Sequence, residues 1–432
     1  MPFDDLSDFL NRFFGPGMLW ALLGIGGSHL VLAPSIGATF GYFGLWIATL
    51  VYAAKYGGWE LGIRYAHGTG NHPVEGYRTL PGPNNWGLWL TLFIYAVGWP
   101  LILGAVGSAT ASFANRAGIL PEPGSGNSFL ILLLLALFLV LVLSSRYDLI
   151  ERLFLLFLIP LAGILVLAVF VAPPSPSLVG DTLFDASALR EPAFLAMFAA
   201  FAGYAPTGLS TTVTIGSWTR AKQQEQQGSS TSDPPSAGER VQALRSGRLD
   251  FHIGYLFSFL LILCMISLSA SVLYPDAPSD RNLALEIARL LVPAFGEWTR
   301  IVMLVGGFAA LYSTVLTVLD GSARVCTDVL KMLASEGTVP GWTRNAVLLY
   351  MFTVSAIPVL LLGSMPVTLL MWSAALMAVL QVFFFIANYY IVRTHLPDEL
   401  QPGTLLRYYY LFSIVCVVLF GCIGAIGKLG GF

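Results

Sequence analysis

Apolar runs of about 20 residues recur along the whole chain, the length of a helix that crosses the roughly 30 Å hydrocarbon core of a bilayer. This feature limits the fold more than any other, because such runs need lipid as their solvent. Composition agrees with it. Only 11% of the residues are charged and 56% are hydrophobic, at a mean hydropathy of +0.75, whereas a soluble domain carries about 25% charged residues. An all-α membrane protein is therefore expected, with the lipid bilayer as its first partner. The net charge of −2 leaves no strongly basic face, so nucleic acid is not an expected partner. The 4 cysteines, Cys264, Cys326, Cys416 and Cys422, sit in or beside apolar segments without CxxC spacing and read as small core hydrophobes.

Eleven spans are predicted, at 16–41, 44–66, 86–113, 127–144, 149–172, 193–220, 250–274, 298–333, 344–364, 366–394 and 404–428. Residues 1–15 form an acidic amphipathic lead-in without the basic start of a signal peptide. Cytoplasmic loops carry the excess of Lys and Arg. With the N-terminus inside, Arg64, Arg78, Arg146, Arg152, Arg220, Lys222, Arg240, Arg245, Arg248, Lys331, Arg344, Arg393 and Arg407 all fall inside. Only Arg116, Arg190, Arg281, Arg289, Arg300 and Lys428 fall outside. The N-terminus is thus expected in the cytoplasm and the C-terminus outside, in a multi-pass protein of a bacterial inner membrane. The stretch 221–248, rich in Gln, Ser and Pro, reads as a flexible cytoplasmic loop. It follows the first span of a second five-helix unit, 193–394, which matches a first unit, 16–172. Span 11 lies in 404–432.

Two spans are interrupted at corresponding places. Span 1 contains "GIGGSHLVLAPSIG", Gly24 to Gly37, and span 6 contains "FAAFAGYAPTGLSTTVTIG", Phe198 to Gly216. Gly costs a helix interior about 1 kcal/mol relative to Ala and Pro about 3. In lipid the freed backbone groups survive only inside protein or beside a water-filled cavity. An odd number of helices per unit makes the two units run in opposite directions through the membrane. Interrupted helices in matching places of inverted repeats point to a transport site.

These residues resemble the Nramp family of metal-ion transporters, within the LeuT-like fold. That family begins its first helix with Gly-Pro-Gly, then eight residues, then Asp-Pro-Gly-Asn. Here Gly15, Pro16 and Gly17 are followed by "MLWALLGI" and by Gly26, Gly27, Ser28 and His29, and "GATFGYFGLW", Gly37 to Trp46, matches the closing pattern. The Met-Pro-His of the family's sixth helix is Ala205, Pro206 and Thr207 here, and "RYDLIERLFLLFLIPLAGILVL", Arg146 to Leu167, looks like the start of its fifth. The resemblance implies a LeuT-like fold of eleven helices with inverted repeats and broken helices 1 and 6. It also implies alternating access without covalent chemistry, so not an enzyme. The ligands depart from the family. Gly26 stands for the metal-binding Asp, His29 for the Asn and Ala205 for the Met, while Phe93 and Pro100 stand where helix 3 carries acids.

The expected substrate-contacting residues are therefore Gly26, Ser28, His29, Tyr204, Ala205, Thr207, Ser210 and Gln381, with His29 the one candidate metal ligand. Ser210, Thr211, Thr212 and Thr214 can equally bond their own backbone. In span 8, Ser313, Thr314 and Thr317 form a candidate second ion site by analogy with sodium-coupled LeuT-like carriers, or are packing hydroxyls. Asp320 and Arg324 are spaced to pair on one helix face. Lys55 is expected to snorkel or to pair near Glu60, Asn388 to join helices, and His67 and His72 to lie in a solvated loop. No P-loop motif is present, so direct ATP drive is not expected. No cofactor is expected beyond a transported or coupling cation. Without a carboxylate, a hard divalent ion that keeps its waters, such as Mg²⁺ or Mn²⁺, fits best, with atypical or absent proton coupling. A small amino-acid-like organic solute, sodium-coupled or not, is the alternative, and a non-transporting membrane sensor the second.

Overall fold

The computed structural model describes residues 25–119, 127–143, 147–190, 193–217, 236–334 and 339–429. The lead-in 1–15 and Gly15, Pro16 and Gly17 lie outside them. Every regular element among the described residues is helical. Among the described residues, seven helices are long and apolar enough to cross a membrane, eight if the bent pair Leu158–Val171 and Pro176–Thr182 is one span.

The sequence-predicted spans meet these helices closely: Gly44–Thr69, Trp86–Arg116, Asn127–Leu143, Tyr147–Val171, Thr299–Leu333, Thr343–Leu362, Pro366–His395 and Thr404–Leu429. The largest difference is at span 7. Its helix is Ala237–Val272, so the second half of the expected flexible loop 221–248 is helical. The cause is local: Ser236 Oγ accepts from Glu239 N at 3.3 Å and Ser236 N donates to Glu239 Oε2 at 2.7 Å. This reciprocal capping box starts a helix. The backbone N–H of Ser236, then its hydroxyl, holds the exposed Glu239 carboxyl below its ordinary value. The remainder of that loop, 221–235, lies outside the described residues.

Packing centres on the two interrupted spans. Helix Phe194–Tyr204 lies against Pro366–His395, and Ala237–Val272 lies against both Ala33–Phe40 and Gly44–Thr69. Trp86–Arg116 packs on Thr299–Leu333. At Gly203 a Cβ would run into the Ala374 carbonyl, so only glycine permits the backbone contact with span 10. Pro100 cannot donate to the Ala96 carbonyl one turn earlier, and Tyr350 Oη donates to that carbonyl instead, at 3.0 Å. Outward positions carry large apolar side chains, such as Phe170 and Leu361, which are 76% and 74% exposed. Water would penalise that surface and lipid does not. The 4 cysteines are free.

Candidate functional site

The break in span 6 follows from Pro206. Proline disfavours the helical conformation in the residue before it, and Ala205 is extended, with φ −85° and ψ 129°. Helix Phe194–Tyr204 therefore stops, and helix resumes at 211–217. Its last carbonyls have no intrahelical donor. Lys55 supplies one. Its Nζ donates to Ala202 O at 2.9 Å, Gly203 O at 3.3 Å and Thr207 O at 2.8 Å. The Lys55 side chain is fully buried, so it neither snorkels nor pairs with Glu60. Glu60 instead holds Arg64 at 2.6 Å and Arg248 at 2.9 Å and accepts from the Tyr410 hydroxyl. Gln381 Nε2 also donates to Ala202 O, at 3.2 Å.

The break in span 1 is milder. Gly26 O accepts from His29 N at 3.1 Å and Leu30 N at 2.9 Å, and a wide π-type turn follows over Ser28–Leu32. Such turns recur at functional positions in helices. A Cβ at Gly26 would collide with the Thr314 side chain, so glycine brings this break against span 8. Ser28 Oγ donates to Pro206 O at 3.0 Å and joins the two breaks directly. Ser28 Oγ also lies 3.0 Å from His29 Nδ1. His29 Nε2 lies 3.1 Å from Ser258 Oγ and 3.2 Å from Ser258 O, and Tyr52 Oη lies 2.9 Å from Ser258 Oγ. These contacts form a continuous run from Tyr52 through Ser258, His29 and Ser28 to the Pro206 carbonyl.

Between the breaks lies a cavity of about 90 Å³. Ser28, Tyr204, Thr207 and Ser210 line it, as do Thr314 and Thr317 from span 8. Four of the eight expected substrate residues and two of the three second-ion residues thus share one cavity. Gly26, His29, Ala205, Gln381 and Ser313 do not line it. Both ring nitrogens of His29 face the partners above, and the ring borders a separate small gap with Leu158, Leu161 and Met265. Ala205 is fully buried, Gln381 is turned to the helix end, and Ser313 Oγ has no partner among the described residues.

The wall is mostly apolar, and its polar side-chain groups are mainly hydroxyls. Ser28 donates to Pro206 O, Tyr204 to Ser373 Oγ at 2.7 Å, Thr314 to Ala310 O at 3.0 Å and Thr317 to Ser313 O at 2.9 Å. Each of these protons is already bound, so each oxygen offers lone pairs only. Among the described residues, no carboxylate, imidazole or thiolate is in the wall, and no group of three His, Cys, Asp or Glu is capable of holding a metal. Trp99, Ile102, Val106, Val318 and Met377 close the apolar side. The buried Nε1 of Trp99 has no acceptor among the described residues. Thr211 and Thr214 complete the polar side; Thr207 Oγ1 is 3.4 Å from Thr211 Oγ1, and Thr214 Oγ1 is 3.1 Å from Tyr95 Oη. Thr212 bonds its own backbone at Leu209 O.

Sequence reasoning missed Lys55, Met377 and Trp99 as site residues. Their signal is three-dimensional: each comes from a different span and reaches the breaks only in the folded bundle. Elsewhere, Asp320 pairs with Arg324 at 2.6 Å as its spacing predicts, and also with Arg344 at 2.7 Å. Asn388 joins helices through Tyr77, Thr212 and Gly58. His72 is buried rather than solvated, because its ring caps helix Pro73–Tyr77 and meets Ser217 Oγ at 2.5 Å.

Comparison with known proteins gives the same frame. A family model described as natural resistance-associated macrophage protein-like (Nramp) matches residues 17–426. PM0681, an uncharacterized protein of Pasteurella multocida (strain Pm70), is 23% identical over 330 residues, covering 74% of this chain and 71% of its own. Among solved structures, an Eremococcus coleocola manganese transporter in complex with an aromatic bis-isothiourea substituted compound superposes with a TM-score of 0.69 at 14% identity. That match covers 95% of this chain and 85% of the transporter. Mhp1, a nucleobase-cation-symport-1 family transporter, gives a TM-score of 0.61 at 13% identity, over 96% of this chain and 90% of its own. MhsT in complex with L-phenylalanine gives 0.58 at 14%, over 96% and 98%. At these identities the likeness is one of fold, and the fold is LeuT-like.

Proposed function

This chain belongs to the Nramp-like family of integral membrane transporters, and on that premise we propose that it carries a hydrated divalent cation by alternating access around the cavity between the two breaks. The observation that carries this reading is the set of wall hydroxyls whose protons are already bound. A cation's first water shell points its hydrogens outward and needs acceptors. Lone pairs on Ser28, Tyr204, Thr314 and Thr317 supply them without stripping the ion. A bare divalent ion needs anionic oxygen, and the wall has none. Mg²⁺ sheds water reluctantly and takes few direct protein ligands, so it suits the site, as does Mn²⁺ with its shell kept. In this reading transport acidifies nothing. The N-terminus faces the cytoplasm of a bacterial inner membrane in this reading, following the Lys and Arg bias.

A second reading rests on Trp99 and the apolar wall. A buried indole N–H without an acceptor suits a small organic solute that brings its own carboxylate or carbonyl. Liposomes separate the two. The first reading predicts saturable Mg²⁺ and Mn²⁺ influx, no linked change in an internal pH dye, and no melting shift across an amino-acid panel. Stabilisation by one organic compound with no metal flux contradicts it and supports the second.

A further inference from the structure

The side-chain nitrogen of Lys55 sits at the break in span 6, against three carbonyl oxygens. Lys55 is fully buried. All three of its hydrogen-bond partners are backbone carbonyls, those of Ala202, Gly203 and Thr207, at 2.8 to 3.3 Å. No carboxylate pairs with it among the described residues. What offsets a charge on it is the C-terminal end of helix Phe194–Tyr204, where aligned peptide dipoles sum to roughly half a negative charge. Converging carbonyls at an unwound membrane helix, backed by a half-helix C-terminus, form the type of site that coordinates a small monovalent cation. Here an ammonium fills it. An ammonium carries the same unit charge as an alkali ion and is likewise satisfied by carbonyl oxygens. Thr207 connects this nest to the cavity: its carbonyl binds Lys55 and the residue lines the cavity wall. Gln381 steadies the nest from span 10 by sharing Ala202 O.

We propose that Lys55 is a tethered cation: its ammonium takes the carbonyl nest at the span 6 break in place of a free monovalent coupling ion, so that the break is held and the carrier cycles without Na⁺ or K⁺. Lys55 is thereby a positioning residue and does not touch the cargo. The inference goes beyond the proposed cargo and holds for a metal or an organic solute alike.

The test uses the full-length protein in detergent and in liposomes, with NaCl, KCl, NH₄Cl and choline chloride exchanged at constant ionic strength. Wild-type melting temperature is expected to be the same in all four salts, because a site already filled gains nothing by mass action. Lys55→Ala is expected to melt several degrees lower in choline and to recover about half or more of that loss in NH₄⁺ or K⁺, which bind the vacated nest of the folded state only. Lys55→Arg keeps the charge and is expected to stay indifferent to the salt. A Lys55→Ala protein that melts identically in all four salts overturns the proposal, since a purely structural lysine predicts that result. A wild type that needs Na⁺ or K⁺ for stability or flux also overturns it, and this arm decides alone if Lys55→Ala does not fold. Melting needs no cargo, so a failed Mg²⁺ flux refutes the cargo reading and leaves this one standing.

Discussion

The two breaks solve one problem with opposite chemistry. At span 1 the chain hardly unwinds. Gly26 O keeps two backbone donors, and a run of side chains, Ser28, His29, Ser258 and Tyr52, supports the widened turn. At span 6 the helix stops outright, and the buried Lys55 side chain closes its end. Neutral hydrogen bonds contribute about 1 kcal/mol each, bonds to charged groups about 1.5–3. The comparison teaches that the break that stops its helix outright takes more donors to its carbonyls, while the break that keeps its helical turn is held by side-chain hydrogen bonds. Ser28 links both, through Pro206 O.

The sharpest way to break this comparison is Lys55→Met, which keeps the volume and removes the charge. Gly203 O and Thr207 O lose the ammonium while Ala202 O keeps Gln381, and each buried unsatisfied group costs about 1–3 kcal/mol. Denaturation is expected to show a loss of about 3 kcal/mol or more. At the span 1 break, His29→Ala is expected to lose less, about 1–3 kcal/mol, with His29→Gln recovering part of it and neither changing which metals are carried. A change in metal preference at His29 contradicts the structural-support reading. Ser28→Ala is smaller again in stability, about 1 kcal/mol, because Pro206 O is its single long-range acceptor. Its larger effect belongs in transport, where the breaks move together: flux is expected to fall about tenfold for 1.4 kcal/mol of lost coupling. The smallest effect is at Met377. If the ion keeps its waters, no thioether bond forms, and Met377→Leu is expected to shift the Mg²⁺ to Mn²⁺ preference by less than about twofold. A large shift at Met377 shows direct, soft ligation.

The spans and both breaks were legible in the sequence because hydropathy and helix-breaking residues act locally. Pro206 and the glycines mark where the helices yield, whatever surrounds them. Thr207, Ser210, Ser28, Thr314 and Thr317 were legible as oxygens, and their placement in one wall needed the fold. His29 has a residue type that suits a metal, and its contact with Ser258, 229 residues on in the chain, needed the fold. Lys55 misled, because its acceptors are backbone atoms 147 to 152 residues away. A backbone carbonyl has no letter in a sequence. The early start of span 7 at Ser236 was local after all, since Ser236 and Glu239 stand at capping-box spacing within a polar stretch.

The central claim is that cargo is held by hydroxyl oxygens in the cavity between the breaks. Thr207→Val with Thr317→Val replaces two wall hydroxyls by methyls of equal size, and its saturable Mg²⁺ uptake into liposomes tests that claim most directly. Uptake is expected to fall about tenfold or more, at about 1.4 kcal/mol per factor of ten, with a melting temperature close to that of the wild type. Uptake equal to that of the wild type contradicts the account.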